Sequence, residues 1–257
     1  MAGGGIAMRI ESLWQFPIKG LGGSTITSTS LTANRALPGD RRYALSTGSA
    51  KATSTADGVW LPKAHFLQLM QIEKLAELSC HEEDGYIVIS RQAVPCFRGN
   101  LDTAEDAAAL EKFIIDFLGR DKAAPMRLHR SGDGAFTDQS EPLVSIGGTA
   151  SLAAFAAASK TRVDARRFRL NIMLHTETPF SEAELIGATL KIGTAVIDIV
   201  EPVGRCAAIN VNPDNAHREP DHLGTMRHHF GHSDLGIFGR VRTAGTIAAG
   251  DRAIRID

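Results

Sequence analysis

The chain has 257 residues, 43% of them hydrophobic and 22% charged, with a formal net charge of −1. That length buries a sizeable core in one large or two modest domains, and the composition is that of a globular protein. The near-neutral balance excludes a general polyanion-binding surface, so nucleic acid is not an expected partner.

Met1 to Met8 lacks a basic start and an apolar core and reads as a frayed tail rather than an export signal. Met8 to Phe16 alternates as a strand, and Pro17 stops it. Pro17 to Gly23 is a loop, and the Ser/Thr-rich run Ser24 to Thr32 suits an edge strand. After the Pro38-Gly39 turn, Asp40 to Ser46 reads as a third strand, and the small, polar stretch Ala50 to Gly58 as a mobile loop. Apolar spacing at Phe66, Leu67, Leu69, Met70, Ile72, Leu75 and Leu78 predicts a helix over Pro62 to Leu78. Gly85 to Ser90 is a strand. Thr103 to Leu118 is a second helix, with Asp102 or Thr103 as N-cap and Gly119 as its stop.

Met126 to Arg130 is a short strand, and Ser131 to Gly134 a turn. A helix from about Thr149 to Lys160 follows the Gly147-Gly148 turn, and strands follow at Arg169 to His175, Thr189 to Val200, Cys206 to Val211, Gly236 to Thr243 and Thr246 to Ile256. Many short strands with polar turns favour an antiparallel barrel over a doubly wound sheet, so the expected class is mostly β with a few helices, α+β. The least polar stretch, Leu143 to Ala158, is broken by Ser145, Gly147, Gly148, Thr149 and Ser151 and falls short of the ~20 apolar residues of a span. A cytoplasmic protein without a membrane partner is the expectation.

Several chemistries have no motif here: no dinucleotide fingerprint, no phosphate-binding loop with Lys-Ser/Thr, no Gly-x-Ser-x-Gly elbow. His217, His222, His228, His229 and His232 crowd one segment, but Gly231 interrupts it, and a polar surface connection is the expected role. Cys80, Cys96 and Cys206 are odd in number and far apart, which is neither a disulfide framework nor a zinc pattern and points to a reducing compartment. Cys206 stands apart from the other two. It follows Arg205, between a turn-forming Pro-x-Gly and Asn212-Pro213, and a thiol beside a guanidinium tends to ionise to the form that attacks electrophiles and binds soft metals. The alternative is a buried structural cysteine.

Read with its surroundings, the chain resembles the MOSC family, named for the C-terminal domain of molybdenum-cofactor sulfurase, and within it the two-part members similar to amidoxime-reducing components. Phe16-Pro-Ile-Lys-Gly20 resembles an early Tyr-Pro-Val-Lys-Ser loop, and Gly39-Asp-Arg-Arg-Tyr-Ala-Leu45 an Asp-Arg strand. Phe136 to Leu152 resembles the Asp-then-Pro-Leu strand with its Ser-Leu helix start, and Arg167-Phe-Arg-Leu-Asn-Ile172 the Arg-Phe-Arg-Pro-Asn motif. Arg205-Cys206 with Asn212-Pro213 matches the cysteine signature, and Gly236-Ile-Phe-Gly with Gly245 to Asp251 the closing motifs. The sequence departs from the pattern at Gly20, Leu170, Ile209 and Phe238.

The resemblance implies an N-terminal MOSC-associated β-rich domain over 8–125, a MOSC barrel over 126–257, and a molybdenum cofactor (molybdopterin) with the Cys206 sulfur as metal ligand and catalytic centre. Its anionic phosphate and dithiolene call for fixed positive charge, which Lys19, Arg41, Arg169 and Arg205 supply. Gly148, Thr149 and Ser151, at a helix start, offer backbone N–H groups to an anion, and Asn171 a hydrogen bond to the pterin. The implied activity is a molybdenum oxidoreductase that takes oxygen from N-hydroxylated or related N–O small molecules. Its electrons come from a separate reductase, since the chain has no cysteine cluster for an iron–sulfur centre. A sulfur carrier with a Cys206 persulfide, and a non-catalytic binder of small anions, are the alternatives.

Overall fold

A computed structural model describes residues 8–48, 56–119, 126–218 and 220–257. The expected tail and most of the expected mobile loop at Ala50 to Gly58 lie outside the described residues.

The chain begins with β1 (Met8–Gln15), β2 (Ser24–Ile26), β3 (Ser28–Leu31) and β4 (Tyr43–Leu45). A three-stranded antiparallel sheet follows, made of β5 (Leu78–Glu83), β6 (Tyr86–Arg91) and β7 (Val94–Gly99). Next come α1 (Ala104–Leu118), β8 (Leu128–Arg130), β9 (Val144–Gly148), α2 (Thr149–Ser159) and β10 (Ile172–His175). The chain closes with β11 (Thr189–Ile192), β12 (Ala195–Gly204), α3 (His222–Phe230), β13 (Asp234–Thr243), β14 (Gly245–Ala248) and β15 (Arg252–Arg255).

Seven strands close into a barrel in the order β10-β9-β13-β12-β11-β15-β1, with β1 returning to pair with β10. The fold is mostly β with helices, as expected. Every barrel pairing is antiparallel except β9 with β10, whose connection carries α2. Along β12 the residues alternate inward and outward, so Ala195, Ile197 and Ile199 join Leu190, Ile192, Ile146, Ile237 and Val241 in one buried cluster. Fully burying each such aliphatic side chain stabilises by about 1.5–3 kcal/mol. Gly239 lies where β13 crosses this core: a Cβ there would sit 2.4 Å from Ile197 Cγ2. The first strand of the chain is thus a barrel stave, held by β10 and β15.

A second core joins the three-stranded sheet to α1 and the β4–β8 pair, through Ile18, Leu45, Leu67, Leu75, Ile89, Leu110, Ile114 and Leu128. Helix α1 starts as its sequence specifies, with Thr103 Oγ1 accepting from Asp106 N and Gly119 in the left-handed conformation at its end. No helix among the described residues is long and apolar enough to cross a membrane.

Several expectations fail locally. Residues 62–78 form no α-helix, only the 3-10 turns Lys63–His65 and Glu73–Glu77 before β5 begins. Their backbone pairs outward instead: Leu67 N donates to Leu45 O and Thr47 N to His65 O, both at 2.8 Å. Tertiary pairing outweighs a helical apolar period, because propensity alone is worth little per residue. The histidine-rich segment, expected as a surface connection, forms the nine-residue α3, and Gly231 caps it rather than breaking it.

Candidate functional site

Strand β12 delivers Cys206 to a cavity of about 330 Å³ on one end of the barrel. The strand expected over Cys206 to Val211 is absent. Cys206 is extended, and the 3-10 turn Ala207–Asn210 begins directly after it, because Ile209 N donates back to Cys206 O at 3.2 Å and Val211 N to Ala208 O at 3.1 Å. The thiol is half-buried and lines the cavity, whereas Cys80 is buried with its thiol pushed up to about 12 by loss of solvent, and Cys96 is exposed.

Lys19, Arg41, Arg169, Arg205 and Asn171 line the same cavity. They arrive from sites as far apart as the loop after β1 and the end of β12, so the fold assembles what the sequence scattered. Arg41 pairs with buried Asp40 and donates from Nη2 to Arg169 O at 2.8 Å. Both guanidiniums lie against Phe16, with Cζ 4.9 Å (Arg41) and 4.5 Å (Arg169) from the ring centroid. Arg205 is fixed by main-chain oxygens: Nε donates to Leu235 O at 2.8 Å, Nη1 to Phe168 O at 2.6 Å, and Nη2 again to Leu235 O. Arg169 donates to Leu21 O.

Among the described residues neither Arg169 nor Arg205 has an ion-pair partner. Burial, with Arg41 nearby, pulls both guanidiniums down to about 9. They stay cationic at neutral pH, and the shift measures how poorly the protein itself compensates them.

Two residues not assigned from the sequence add charge here, Asp138 in the lining and Lys63 bound to it. Asp138 accepts from Lys19 Nζ and from Lys63 Nζ, each at 2.8 Å. Desolvation alone would raise this carboxyl, but the two ammoniums outweigh it and hold it at about 2. Burial lowers the Lys19 pKa against the pull of Asp138. Lys63 is raised mainly by its bond to Asp138. Asp138 lies in the Phe136 to Leu152 motif and was legible there. Lys63 sits in a stretch whose apolar spacing drew attention to helix formation instead.

Arg167 also lines the cavity. The lining therefore carries five cationic side chains, Lys19, Arg41, Arg167, Arg169 and Arg205, against the single carboxylate of Asp138.

Gly148, Thr149 and Ser151 do not line the cavity. The N-terminus of α2 turns inward to Glu182, which is 1% exposed: Gly148 N donates to Oε1 at 3.3 Å and Ser151 Oγ to Oε2 at 2.6 Å. Thr149 is engaged by Thr176. An internal carboxylate thus takes the place expected for an external anion. Asn171 lines the cavity, but its amide oxygen accepts from Ser145 N and Ser145 Oγ and its nitrogen donates to Trp14 O at 3.3 Å. Its side chain ties β1 to β9, leaving one amide hydrogen for a ligand.

The departures from the family pattern have local reasons. Gly20 has φ +89°, a conformation that disfavours serine. Leu170 fills space left by Gly147 and Gly236, and Ile209 packs with Phe168 and Met226. Among the described residues no group of three or more His, Cys, Asp or Glu side chains is placed to hold a metal ion.

Residues 133–253 match the family model for the MOSC domain. That stretch, just under half of the chain, is what the sequence shares with the MOSC domain. MOSC domains are associated with molybdenum-cofactor binding. The match covers the cavity's Asp138, Arg167, Arg169, Asn171, Arg205 and Cys206, while its Lys19 and Arg41 precede the match. Among solved structures, YiiM from Geobacillus stearothermophilus is similar at 19% identity and a TM-score of 0.36, over 44% of this chain and 54% of that one. YiiM from Escherichia coli gives 17% and 0.35, over 44% and 54%. The YUAD protein from Bacillus subtilis gives 11% and 0.47, over 96% and 94%. The chain thus spans about half the length of the YiiM proteins. No curated protein matches the sequence.

Proposed function

We propose that the cavity binds a molybdenum cofactor with the Cys206 sulfur as its protein ligand, and that the protein reduces N-hydroxylated or related N–O compounds. The observation that carries this reading is the charge of the lining. A half-buried thiol shares about 330 Å³ with five cations and one carboxylate, and among the described residues three of the four arginines, Arg167, Arg169 and Arg205, have no ion-pair partner. Such a surface fits a ligand that is both anionic and sulfur-binding.

Arg41, Arg169, Arg205 and Lys19 would hold the anionic parts of the cofactor, and Cys206 its metal. When bound, the group supplies two-electron oxygen abstraction. The chain's own residues confine and orient: the Arg205 bonds to Leu235 O and Phe168 O fix the peptide from which Cys206 projects. Leu69, Met70, Val203 and Ile209 give the cavity apolar walls that keep water from the reacting group. The balance is R–NH–OH + 2 e⁻ + 2 H⁺ → R–NH₂ + H₂O, with both electrons from a separate reductase. Protein from a host that makes molybdenum cofactor should reduce a simple amidoxime with a reduced viologen dye and not with nicotinamide. Turnover with nicotinamide and no partner, or metal-free protein with cyanide-labile sulfur, would contradict the reading, the second outcome in favour of sulfur transfer.

A further inference from the structure

Arg167 is not among the residues assigned above to holding the cofactor, yet it too lines the cavity with no ion-pair partner among the described residues. It sits on the 3-10 turn Ala165–Phe168, is 6% exposed, and lines the cavity. Among the described residues its guanidinium makes one hydrogen bond, from Nη1 to Ile209 O at 3.1 Å, and its buried Nε has no partner. Among the described residues no carboxylate pairs with it. Asp164 and Asp214, whose charges reach it, are both bound by Arg166. The neighbouring His222 is wholly buried with neither ring nitrogen bonded, and loss of solvent, with the Arg167 charge, keeps it uncharged. An unpaired guanidinium at such depth is costly unless something enters to meet it.

The position of Arg167 says what that is. Arg41 acts electrostatically on Lys19, Arg169 and Arg205, whereas Arg167 feels Asp164, Asp214 and Arg166. Its anchor, Ile209 O, belongs to the turn that starts at Cys206. Arg167 therefore adds a cation at the wall of the cavity that this turn forms, beside apolar Ile209.

We propose that Arg167 is a substrate-binding residue, and that the compound reduced at Cys206 carries a carboxylate joined to its N–O function by a short apolar spacer. A planar two-oxygen anion suits the free fork of the guanidinium. The substrate assignment rests on the proposed reductase reading; the anion site at Arg167 does not.

Two measurements separate them. In the cofactor-free Cys96→Ser protein, Cys206 is the one cysteine open to alkylation, since Cys80 is buried. The ratio of iodoacetate to iodoacetamide rates at Cys206 should be about tenfold higher in the folded than in the urea-unfolded chain. Arg167→Gln should lower the iodoacetate rate and leave the iodoacetamide rate unchanged, with Arg167→Lys restoring part of it. A folded-state ratio no higher than the unfolded one, or a substitution that changes both reagents alike, would overturn the anion site, and neither depends on molybdenum. In the loaded enzyme, N-hydroxybenzamidine bearing a 4-carboxylate should show a KM about tenfold below that of the neutral parent, and Arg167→Gln should erase the difference by raising the KM of the carboxylate compound. Equal KM values in the unmutated enzyme would overturn the substrate class while leaving the reductase reading intact.

Discussion

Arg41 Nη2 donates to the main-chain oxygen of Arg169 at 2.8 Å, across 128 positions of sequence, and both residues hold left-handed backbone, with φ of 46° and 52°. Left-handed non-glycine residues cost on the order of 1–3 kcal/mol each and collect at functional sites, where the surrounding fold over-determines them. This latch joins the segment after β1 to the barrel while turning two guanidiniums toward one cavity.

Because the latch uses the main chain of Arg169, Arg169→Gln removes the charge and spares the link. Its guanidinium is buried with no ion-pair partner, so the cofactor-free variant should unfold at the same temperature as the parent or higher, and should retain less molybdenum. Scanning calorimetry beside metal analysis checks both. A clear fall in Tm would make Arg169 a structural brace instead.

His222 sets an acid limit on stability. Loss of solvent, then the charge of Arg167, lowers its pKa from 6.5 to about 4, against the pull of Asp221. Between those values the unfolded chain binds a proton that the folded chain does not, so stability falls as pH drops from about 6.5 toward 4. The contribution is on the order of 3 kcal/mol. His222→Phe should flatten that limb in urea titrations at a series of pH values; an unchanged slope would show that His222 charges freely in the native state.

Ser151→Ala should cost about 1–3 kcal/mol in urea unfolding, because it strips a 2.6 Å bond from buried Glu182, and should leave cofactor content unaltered. Loss of cofactor at unchanged stability would put the start of α2 back in the binding site.

Asp138 is the cavity's internal counter-ion. Asp138→Asn releases Lys19 and Lys63, and the cofactor-free variant should bind inorganic phosphate roughly two- to fivefold more tightly by calorimetry. Weaker binding would mean that Asp138 orders the lysines for the ligand rather than competing with it.

The sequence made the barrel legible through alternation, turns and caps, and Thr103 and Gly119 bound α1 as their chemistry requires. It misled where tertiary pairing decides: residues 62–78 carry a helical apolar period, but their backbone bonds to the stretch Leu45 to Thr47. The start of α2 looked open to an anion because Glu182, more than thirty positions on, gives no local sign of folding back onto it. Arg167 was missed although Arg167-Phe-Arg169 placed two arginines at alternate positions of a quoted motif. Both lack an ion pair among the described residues because Asp40 turns to Arg41, and Asp164 and Asp214 to Arg166, and only the fold settles that.

The central claim is that Cys206 sulfur and the surrounding cations hold a molybdenum cofactor. Molybdenum per chain, measured on protein and on Cys206→Ser from the same cofactor-producing host, tests it most directly. The account predicts near-stoichiometric metal in the parent and a marked loss in the variant; a parent free of molybdenum, or equal loading of the two, would contradict it.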